Sequence, residues 1–261
     1  MEGNNVELVG HTALVTGASQ RLGAAIAGRL AQAGMRLAIH YHRSAAAAEQ
    51  LCQQFIAAGS EAIVVQADLG DWQQTEQLLA HVHQQLGTVH VLINNAALFD
   101  PGGVDTTSQL VWQQQMAVNL QAPFILLQQF ARQPGLRPQL NGSGGSDSTS
   151  QVYGKVINLL DRRVIRPRGG HLAYTISKSA LWTLTRMAAA ELAPHIQVNA
   201  IAPGAILPAP GASDEQFTRI AAAAPMLRAG TPTEIAESVL FMLQHDYITG
   251  ELLCVDGGAH L

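Results

Sequence analysis

Two hydrophobic patterns alternate along this chain, one typical of buried strands and the other of amphipathic helices. Short runs of β-branched and other apolar residues predict strands at 12–16, 36–42, 61–67, 89–94, 155–160, 196–201 and 251–255. Longer patterns predict helices near 22–33, 44–58, 71–86, 107–132, 171–193 and 231–244. Because strands that alternate with helices form a parallel sheet covered on both faces, we predict a doubly wound, Rossmann-like α/β fold. We expect residues 1–261 to form a single domain around a seven-stranded sheet.

Two segments interrupt this alternation. Residues 134–154 are rich in proline, glycine and serine, which predicts a long flexible loop. Residues 205–230 contain prolines, a short alanine-rich helix and little strand pattern, and they follow the sixth predicted strand. Ligands of open α/β sheets bind beyond the carboxyl ends of the strands. We therefore expect residues 205–230, the candidate lid, to close over a substrate.

The composition narrows the class of protein. Hydrophobic residues make up 48% of the chain and charged residues 13%, which suits a buried parallel sheet and further burial between subunits. A net charge of −4 gives no basic surface for nucleic acid. The chain has no 18-residue apolar run typical of a membrane span, and its first residues do not resemble a signal peptide. Because Cys52 and Cys254 form no metal or disulfide pattern, we expect a cytoplasmic protein without a metal.

A glycine-rich turn over residues 16–23 joins the first predicted strand to the first predicted helix. It contains Gly17, Leu22 and Gly23. Such a turn presents free backbone N–H groups and the positive end of a helix to a pyrophosphate. The spacing differs from GxGxxG, and glycine-rich turns are common. The position at the first strand of a regular βαβ chain nevertheless favours a dinucleotide.

The end of the second predicted strand distinguishes the two nicotinamide cofactors. A carboxylate there accepts a hydrogen bond from the ribose 2′-OH of NAD, whereas a cation accommodates the 2′-phosphate of NADP. This chain has His42, Arg43 and Ser44 at that point, without a carboxylate, and Arg21 in the glycine-rich turn supports them. NADPH is therefore favoured, although Arg43 would also suit a solvated turn. Asp68 ends the third predicted strand, where it would hold the adenine or a nearby backbone group.

Tyr174 and Lys178 lie four residues apart on a predicted helix, and therefore on one face of it. A phenol is a poor acid or base at neutral pH because its pKa is near ~10. Since a neighbouring ammonium favours the phenolate, we expect Lys178 to lower the pKa of Tyr174 towards the range of efficient proton exchange. The alternative is an exposed tyrosine and lysine on an ordinary amphipathic helix.

Polar side chains near other strand ends are expected to share this space. Asp161 closes the fifth predicted strand, where its carboxylate would face the ligand cleft, cap a helix or pair with Arg162. Asn95 and Ala96 follow the fourth strand, where the amide would brace either the cofactor or the neighbouring strands. Asn119 interrupts an apolar helix, so we expect its amide to be buried with partners. It would brace the helix or hold a water beside the lysine.

In their order and spacing, these residues resemble the short-chain dehydrogenase/reductase family over essentially the whole chain. The shared motifs are the glycine-rich turn, Asn-Asn-Ala after the fourth strand, an asparagine on the next helix, Tyr-x-x-x-Lys, Pro203-Gly204 and Asp256-Gly257-Gly258. Two departures resemble the pteridine reductase branch: Arg21 stands where the family usually has glycine, and Asp161 where it usually has serine. Phe99 matches the aromatic residue that stacks on the pterin ring in that branch.

The resemblance implies NADPH-dependent reduction of a pterin or dihydropterin ring, of the dihydrobiopterin or dihydrofolate type, by a homotetramer. It implies that Tyr174 and Asp161 manage the proton, with Lys178 and Asn119 completing the catalytic set. It implies substrate contacts from Arg21, Phe99, Asp161 and Tyr174. The implied cofactor contacts are Gly17, Arg21, Leu22, Gly23, His42, Arg43, Ser44, Asp68, Asn95, Ala96, Tyr174, Lys178, Pro203 and Gly204.

Two other functions are compatible with the same residues. One is a reductase of a ketone, such as a 3-oxoacyl carrier-protein thioester, a sugar or a steroid. The other is a non-catalytic sensor or scaffold that binds NADP(H). A carboxyl group at Asp161 favours the pterin, because it can pair with ring N–H donors or deliver a proton, whereas serine suits a ketone oxygen.

Overall fold

Seven parallel strands form one sheet in the order β3-β2-β1-β4-β5-β6-β7, in a computed structural model that describes residues 8–136, 152–209, 211 and 213–261. The strands are β1 (Thr12–Val15), β2 (Arg36–Tyr41), β3 (Ala62–Gln66), β4 (Val89–Asn94), β5 (Gly154–Leu159), β6 (Ile196–Pro203) and β7 (Leu252–Val255). The strand order reverses between β1 and β4, which in a doubly wound sheet opens a crevice at the carboxyl edge. The predicted fold is confirmed.

Helices cover both faces of this sheet. The α-helices of the described residues are α1 (Arg21–Gln32), α2 (Ala45–Ala57), α3 (Trp72–Leu86), α4 (Gln109–Met116), α5 (Ala122–Ala131), α6 (Leu172–Leu192), α7 (Asp214–Ala222) and α8 (Pro232–Leu243), and α7 lies in the candidate lid. No helix in the described part of the chain is both long enough and apolar enough to cross a membrane.

Alternate residues of a strand face opposite sides of the sheet, and β1 shows how this builds two cores. Ala13 and Val15 belong to the core that includes residues of α1, α2 and α8. Leu14, between them, belongs to the core that includes residues of α3, α5 and α6. Since both faces are buried, apolar residues occupy both sides of the strands, which explains the largely apolar runs in the sequence.

Helix starts fall into two groups. Several carry a side-chain cap: Asp71 caps α3, and Thr231 and Glu234 form a reciprocal capping box at α8. In contrast, α1 and α2 begin after Gln20 and Ser44, whose side chains make no cap hydrogen bond. Capping satisfies N–H groups that have no partner within a helix. The first turns of α1 and α2 therefore keep N–H groups available for a ligand.

One predicted helix is divided in the structure, and two other predicted segments fall partly outside the described residues. The helix predicted at 107–132 is two helices, α4 and α5, separated by a π-helical turn at Ala117–Gln121. Most of the loop predicted at 134–154 falls on residues 137–151, which lie outside the described residues. The candidate lid contains α7, and its residues 210 and 212 also lie outside the described part.

Candidate active site

A cleft of about 1030 Å³ opens at the carboxyl edge of the sheet. Segments that follow β1 to β6 form its walls, together with side chains of α4 and α6. The predicted site residues that line it are Gly17, Arg21, Leu22, Gly23, His42, Arg43, Ser44, Asp68, Asn95, Ala96, Asp161, Tyr174, Lys178, Pro203 and Gly204. Phe99 and Asn119 do not line it, but each contacts a residue that does.

The glycine-rich turn has a tightly constrained backbone. Gly17 and Arg21 both have positive φ angles, of 62° and 55°, a conformation that L-residues other than glycine rarely adopt. A Cβ atom on Gly23 would lie 2.3 Å from the Gly17 carbonyl oxygen and 2.6 Å from Asn95 Nδ2, so only glycine fits there. Arg21 Nη2 donates to the Pro208 carbonyl at 2.6 Å. The arginine thus connects the turn to the candidate lid.

His40 is a residue of the site whose role the sequence analysis missed. Its Nδ1 accepts a hydrogen bond from the Gly17 N–H at 3.0 Å, and its Nε2 lies 3.1 Å from the Ala67 carbonyl oxygen, to which it donates. Burial lowers the pKa of His40 to about 4, so the ring is neutral at pH 7. A neutral ring with its proton on Nε2 satisfies both contacts. His40 therefore holds the glycine-rich turn against the end of β3.

The residues after β2 stand at the edge of the cleft. Arg43 is exposed, and Ser44 is half-buried at the start of α2. His42 Nε2 lies 3.5 Å from Asp68 Oδ2. Asp68 Oδ1 accepts from the Gly70 N–H at 2.8 Å, which matches the backbone contact predicted as one of its two roles.

Asn94 and Asn95 both brace the sheet edge. Asn94 Nδ2 donates to Asn158 Oδ1 at 2.8 Å, across the paired strands β4 and β5. Asn95 Nδ2 donates to the Thr16 carbonyl at 2.8 Å, while the backbone N–H groups of Asn95 and Ala96 donate to Thr16 Oγ1 at 2.9 and 3.0 Å. These contacts fix the end of β4 to the start of the glycine-rich turn, the structural role predicted as an alternative.

Asn119 lies fully buried in the π-helical turn between α4 and α5. Its Oδ1 accepts from the Leu98 N–H at 2.8 Å, and its Nδ2 donates to the Leu98 carbonyl at 2.9 Å and to Ser177 Oγ at 3.1 Å. A π turn is a local widening that often occurs at functional sites. Here the amide braces the loop after β4 and α6, rather than its own helix.

Asp161 and Tyr174 meet inside the cleft. The Tyr174 hydroxyl donates to Asp161 Oδ2 at 3.2 Å, and Asp161 Oδ1 accepts from the Arg163 N–H at 2.8 Å. The carboxylate thus faces the cleft and also caps the 3-10 turn Arg162–Val164, so two of the predicted placements occur together. Arg162 is tied elsewhere, because its Nη1 donates to the Ala259 carbonyl.

The expected lowering of the Tyr174 pKa is wrong for this structure. Burial and the adjacent Asp161 carboxylate raise the pKa of Tyr174 well above its ordinary value of 10. Lys178 Nζ donates to the Leu159 carbonyl at 2.6 Å and lies 5.9 Å from the centre of the Tyr174 ring. Burial lowers the pKa of Lys178 to about 8, against the opposing effect of Asp161. Burial is the larger cause of the raised Tyr174 pKa and the Asp161 carboxylate is the second, because both disfavour the charged phenolate.

Phe99 is a partly exposed residue next to the cleft. Its ring stacks on His171, with centroids 3.9 Å apart and planes inclined by 11°. The same ring meets Tyr174 edge-on at 4.6 Å. His171 is held by its Nδ1, which lies 3.1 Å from the Asp100 carbonyl oxygen. His171, which the sequence analysis did not single out, therefore covers one face of Phe99 and fixes its position beside the catalytic candidate Tyr174.

Comparison with known proteins identifies the family. A family profile described as enoyl-(acyl carrier protein) reductase matches residues 17–260. The chain is similar to the 3-oxoacyl-acyl-carrier-protein reductase FabG of Staphylococcus aureus, with 32% identity over 255 residues that cover 96% of this chain and 98% of that protein. The chain therefore belongs to the short-chain dehydrogenase/reductase family.

Solved structures show the same relationship. The FolM alternative dihydrofolate reductase 1 of Brucella canis, complexed with NADP, is 34% identical; the match covers 97% of this chain and 95% of that one, with a TM-score of 0.88. A blue fluorescent protein from a metagenomic library, in complex with NADPH, is 33% identical; the match covers 97% and 99% of the two chains, with a TM-score of 0.86.

Because His40 is neutral in the folded chain, we predict that the free energy of unfolding depends on pH. Its pKa is about 4 in the folded chain and 6.5 as a free side chain, so the unfolded chain binds more protons between these values. The free energy of unfolding therefore falls as the pH falls from 6.5 towards 4, by on the order of 3 kcal/mol from this group. Urea unfolding at a series of pH values measures it.

The variant His40→Gln should lose this share of the pH dependence, whereas His81→Gln, which changes an exposed histidine, should keep the slope of the unsubstituted chain. Identical slopes for His40→Gln and the unsubstituted chain would contradict the assignment. The comparison uses the slope of the unfolding free energy against pH, because a loss of stability that is the same at every pH does not change that slope.

Proposed function

We propose that this member of the short-chain dehydrogenase/reductase family uses NADPH to reduce the ring of a pterin or dihydropterin. The observation that carries the proposal is the hydrogen bond of 3.2 Å between the Tyr174 hydroxyl and the Asp161 carboxylate in the cleft. It gives the site both a proton donor and an acceptor for ring N–H groups. The similarity to a FolM alternative dihydrofolate reductase, solved with NADP, supports this reading.

NADPH, when bound, supplies the hydride. The uncapped first turn of α1, preceded by the glycine-rich turn, suits its pyrophosphate, because free N–H groups and the helix dipole attract a phosphate. Arg43 and Ser44, at the uncapped start of α2, suit the 2′-phosphate. Asn95, Ala96, Pro203 and Gly204 line the same cleft farther along, where they would hold the nicotinamide half.

Tyr174 serves as the proton donor in this proposal. Reduction of a ring C=N bond adds a hydride to the carbon and a proton to the nitrogen. A phenol whose pKa is raised by burial and by a carboxylate keeps its proton at neutral pH, so it is available for that nitrogen. Asp161 accepts from ring N–H or amino groups and orients the hydroxyl. Lys178 holds the nicotinamide ribose.

Three other residues position these groups. Asn119 fixes Leu98, the neighbour of Phe99, and contacts α6 through Ser177. Phe99 provides an aromatic surface beside Tyr174, and Arg21 links the cofactor turn to the candidate lid. They act by holding the cleft in one shape, and we assign Asn119 a positioning role rather than a chemical one.

Reduction of a ketone is the second candidate, because the chain is also similar to a 3-oxoacyl-acyl-carrier-protein reductase at 32% identity. A tyrosine that keeps its proton would also serve a ketone oxygen. Asp161 distinguishes the two substrates, because a carboxylate would repel the oxyanion that forms from a ketone. A non-catalytic NADP(H) sensor would bind the cofactor without turnover.

Exposed apolar side chains on α4, α5 and α6 favour contact with another subunit, in keeping with the homotetramer that the family resemblance implies. Leu110, Trp112, Phe124, Ile176 and Met187 are each at least 39% exposed, and large exposed apolar side chains on neighbouring helices are typical of subunit interfaces. The homotetramer and the cytoplasmic location stay predictions.

A substrate panel tests the proposal directly. We expect NADPH oxidation with dihydrobiopterin, dihydrofolate or biopterin, and we expect Asp161→Ala to reduce pterin turnover far more than any turnover of a 3-oxoacyl thioester. Asp161→Asn keeps the shape of the side chain and separates the loss of charge from the loss of volume. Turnover of the thioester alone, unchanged in Asp161→Ala, would contradict the proposal.

Tyr174→Phe tests the proton donor. The substitution removes one oxygen from a buried ring and leaves the shape intact, so we expect turnover to fall by about 10²–10⁴, the range for a general acid. Binding of NADPH, measured by its fluorescence, should stay close to that of the unsubstituted chain. A variant that retains full turnover would show that the proton comes from elsewhere.

Arg43→Ala tests the choice of cofactor. The guanidinium is expected to pair only with the 2′-phosphate, so the Kd for NADPH should rise roughly tenfold or more, while the Kd for NADH changes little. NADH is the internal control, since it differs only by that phosphate. Equal weakening of both cofactors would refute the assignment.

A further inference from the structure

Four arginines follow Asp161 within seven residues: Arg162, Arg163, Arg166 and Arg168. They are four of the 15 lysines and arginines of a chain whose net charge is −4. The local charge just after Asp161, which lines the cleft, is therefore opposite to that of the whole protein. A concentrated positive charge beside a cleft raises the local concentration of anions.

Two of these arginines hold residues 162–168, the arginine segment, in place. Arg162 Nη1 donates to the Ala259 carbonyl at 3.3 Å, and Arg166 Nη1 donates to the main-chain oxygen of Leu261. Both contacts hold the segment against residues 259–261. Because Asp161 caps the first turn of this segment, the anchors also keep the carboxylate in place.

The other two arginines, Arg163 and Arg168, have N–H donors that remain available to a ligand. The guanidinium carbon of Arg163 lies 5.9 Å from the centre of the Phe99 ring, which contacts Tyr174 edge-on. Arg163 Nη1 donates to the carbonyls of Arg168 and Gly169 at 3.2 and 3.4 Å, so the two arginine residues lie close together. A guanidinium has five N–H donors, and these contacts use only one of its nitrogens. Arg168 itself is exposed.

We propose that Arg163 and Arg168 bind carboxylates on the tail of the substrate, so that the preferred substrate is a dihydropteridine with an acidic tail, of the folate type. This inference rests on the proposed function and narrows it. A substrate ring beside Tyr174 would lie near these arginines, because the Arg163 guanidinium carbon is 5.9 Å from the centre of the Phe99 ring, which contacts Tyr174 edge-on. Guanidinium groups bind carboxylates in paired hydrogen bonds. A biopterin tail carries hydroxyl groups and no charge, so it gains nothing from the arginines.

The test compares two substrates that share the ring and differ in the tail, dihydrofolate and dihydrobiopterin, each with saturating NADPH. For the unsubstituted chain, we expect kcat/KM to favour dihydrofolate and this preference to shrink as salt is added, since salt screens exposed charges. Arg163→Gln and Arg168→Gln should each lower the ratio of the two kcat/KM values roughly fivefold, mainly through KM for dihydrofolate. Arg168→Lys should recover part of the preference, because it keeps the charge.

Arg132→Gln is the matched control. Arg132 is exposed and follows α5, and its neighbour Gln133 contacts Val89 at the start of β4, which is the edge of the sheet opposite the cleft. This variant should keep the preference of the unsubstituted chain. Equal loss in Arg132→Gln would mean that only the total charge matters, and that outcome overturns the inference.

The remaining outcomes distinguish a failure of this inference from a failure of the proposed pterin reduction. Reduction of both dihydropteridines with a ratio that neither salt nor Arg163→Gln nor Arg168→Gln changes would overturn the inference and leave the proposed function intact. Reduction of neither would overturn both. Turnover of a 3-oxoacyl carrier protein alone, weakened in Arg168→Gln, would assign the arginines to an acidic carrier protein and so contradict the inference.

Discussion

The hydrogen bond between the Tyr174 hydroxyl and the Asp161 carboxylate is the interaction on which the proposed chemistry of the cleft depends. Its partners come from different elements: Asp161 follows β5, and Tyr174 lies in the first turn of α6. Burial and the carboxylate together stabilise the protonated phenol, as the proposed transfer of a proton to a ring nitrogen requires. The backbone N–H of Arg163 holds the other carboxylate oxygen, so the pair has a defined orientation.

The surrounding structure serves to keep that pair beside the cofactor cleft. His40 and Asn95 fasten the glycine-rich turn to the ends of β3 and β4, and Asn119 fastens the loop after β4 to α6. Each contact is buried or partly buried and joins elements that are distant in sequence. Buried polar groups that are satisfied in this way restrict the site to one arrangement.

The periodicity of the chain was sufficient to predict the layers of the fold, because strands buried on both faces have continuous apolar runs. It missed the division between α4 and α5, since the π turn at Ala117–Gln121 changes the backbone without changing the apolar pattern. Spacing placed Tyr174 and Lys178 on one helical face correctly. It could not give the direction of the tyrosine pKa shift, which depends on burial and on a carboxylate thirteen residues earlier. The role of His40 was missed for a similar reason: a histidine within a strand has no local signal for a contact to Gly17.

The protonation of Tyr174 can be observed directly by NMR with ¹³C-labelled tyrosine, because the ring carbon that bears the hydroxyl shifts on ionisation. The chain has four tyrosines, and the loss of one signal in Tyr174→Phe assigns the resonance. The account predicts that Tyr174 stays protonated from neutral pH to beyond pH 10, and that it ionises at lower pH in Asp161→Ser. A Tyr174 signal that already shows the phenolate at pH 7 in the unsubstituted chain would contradict it.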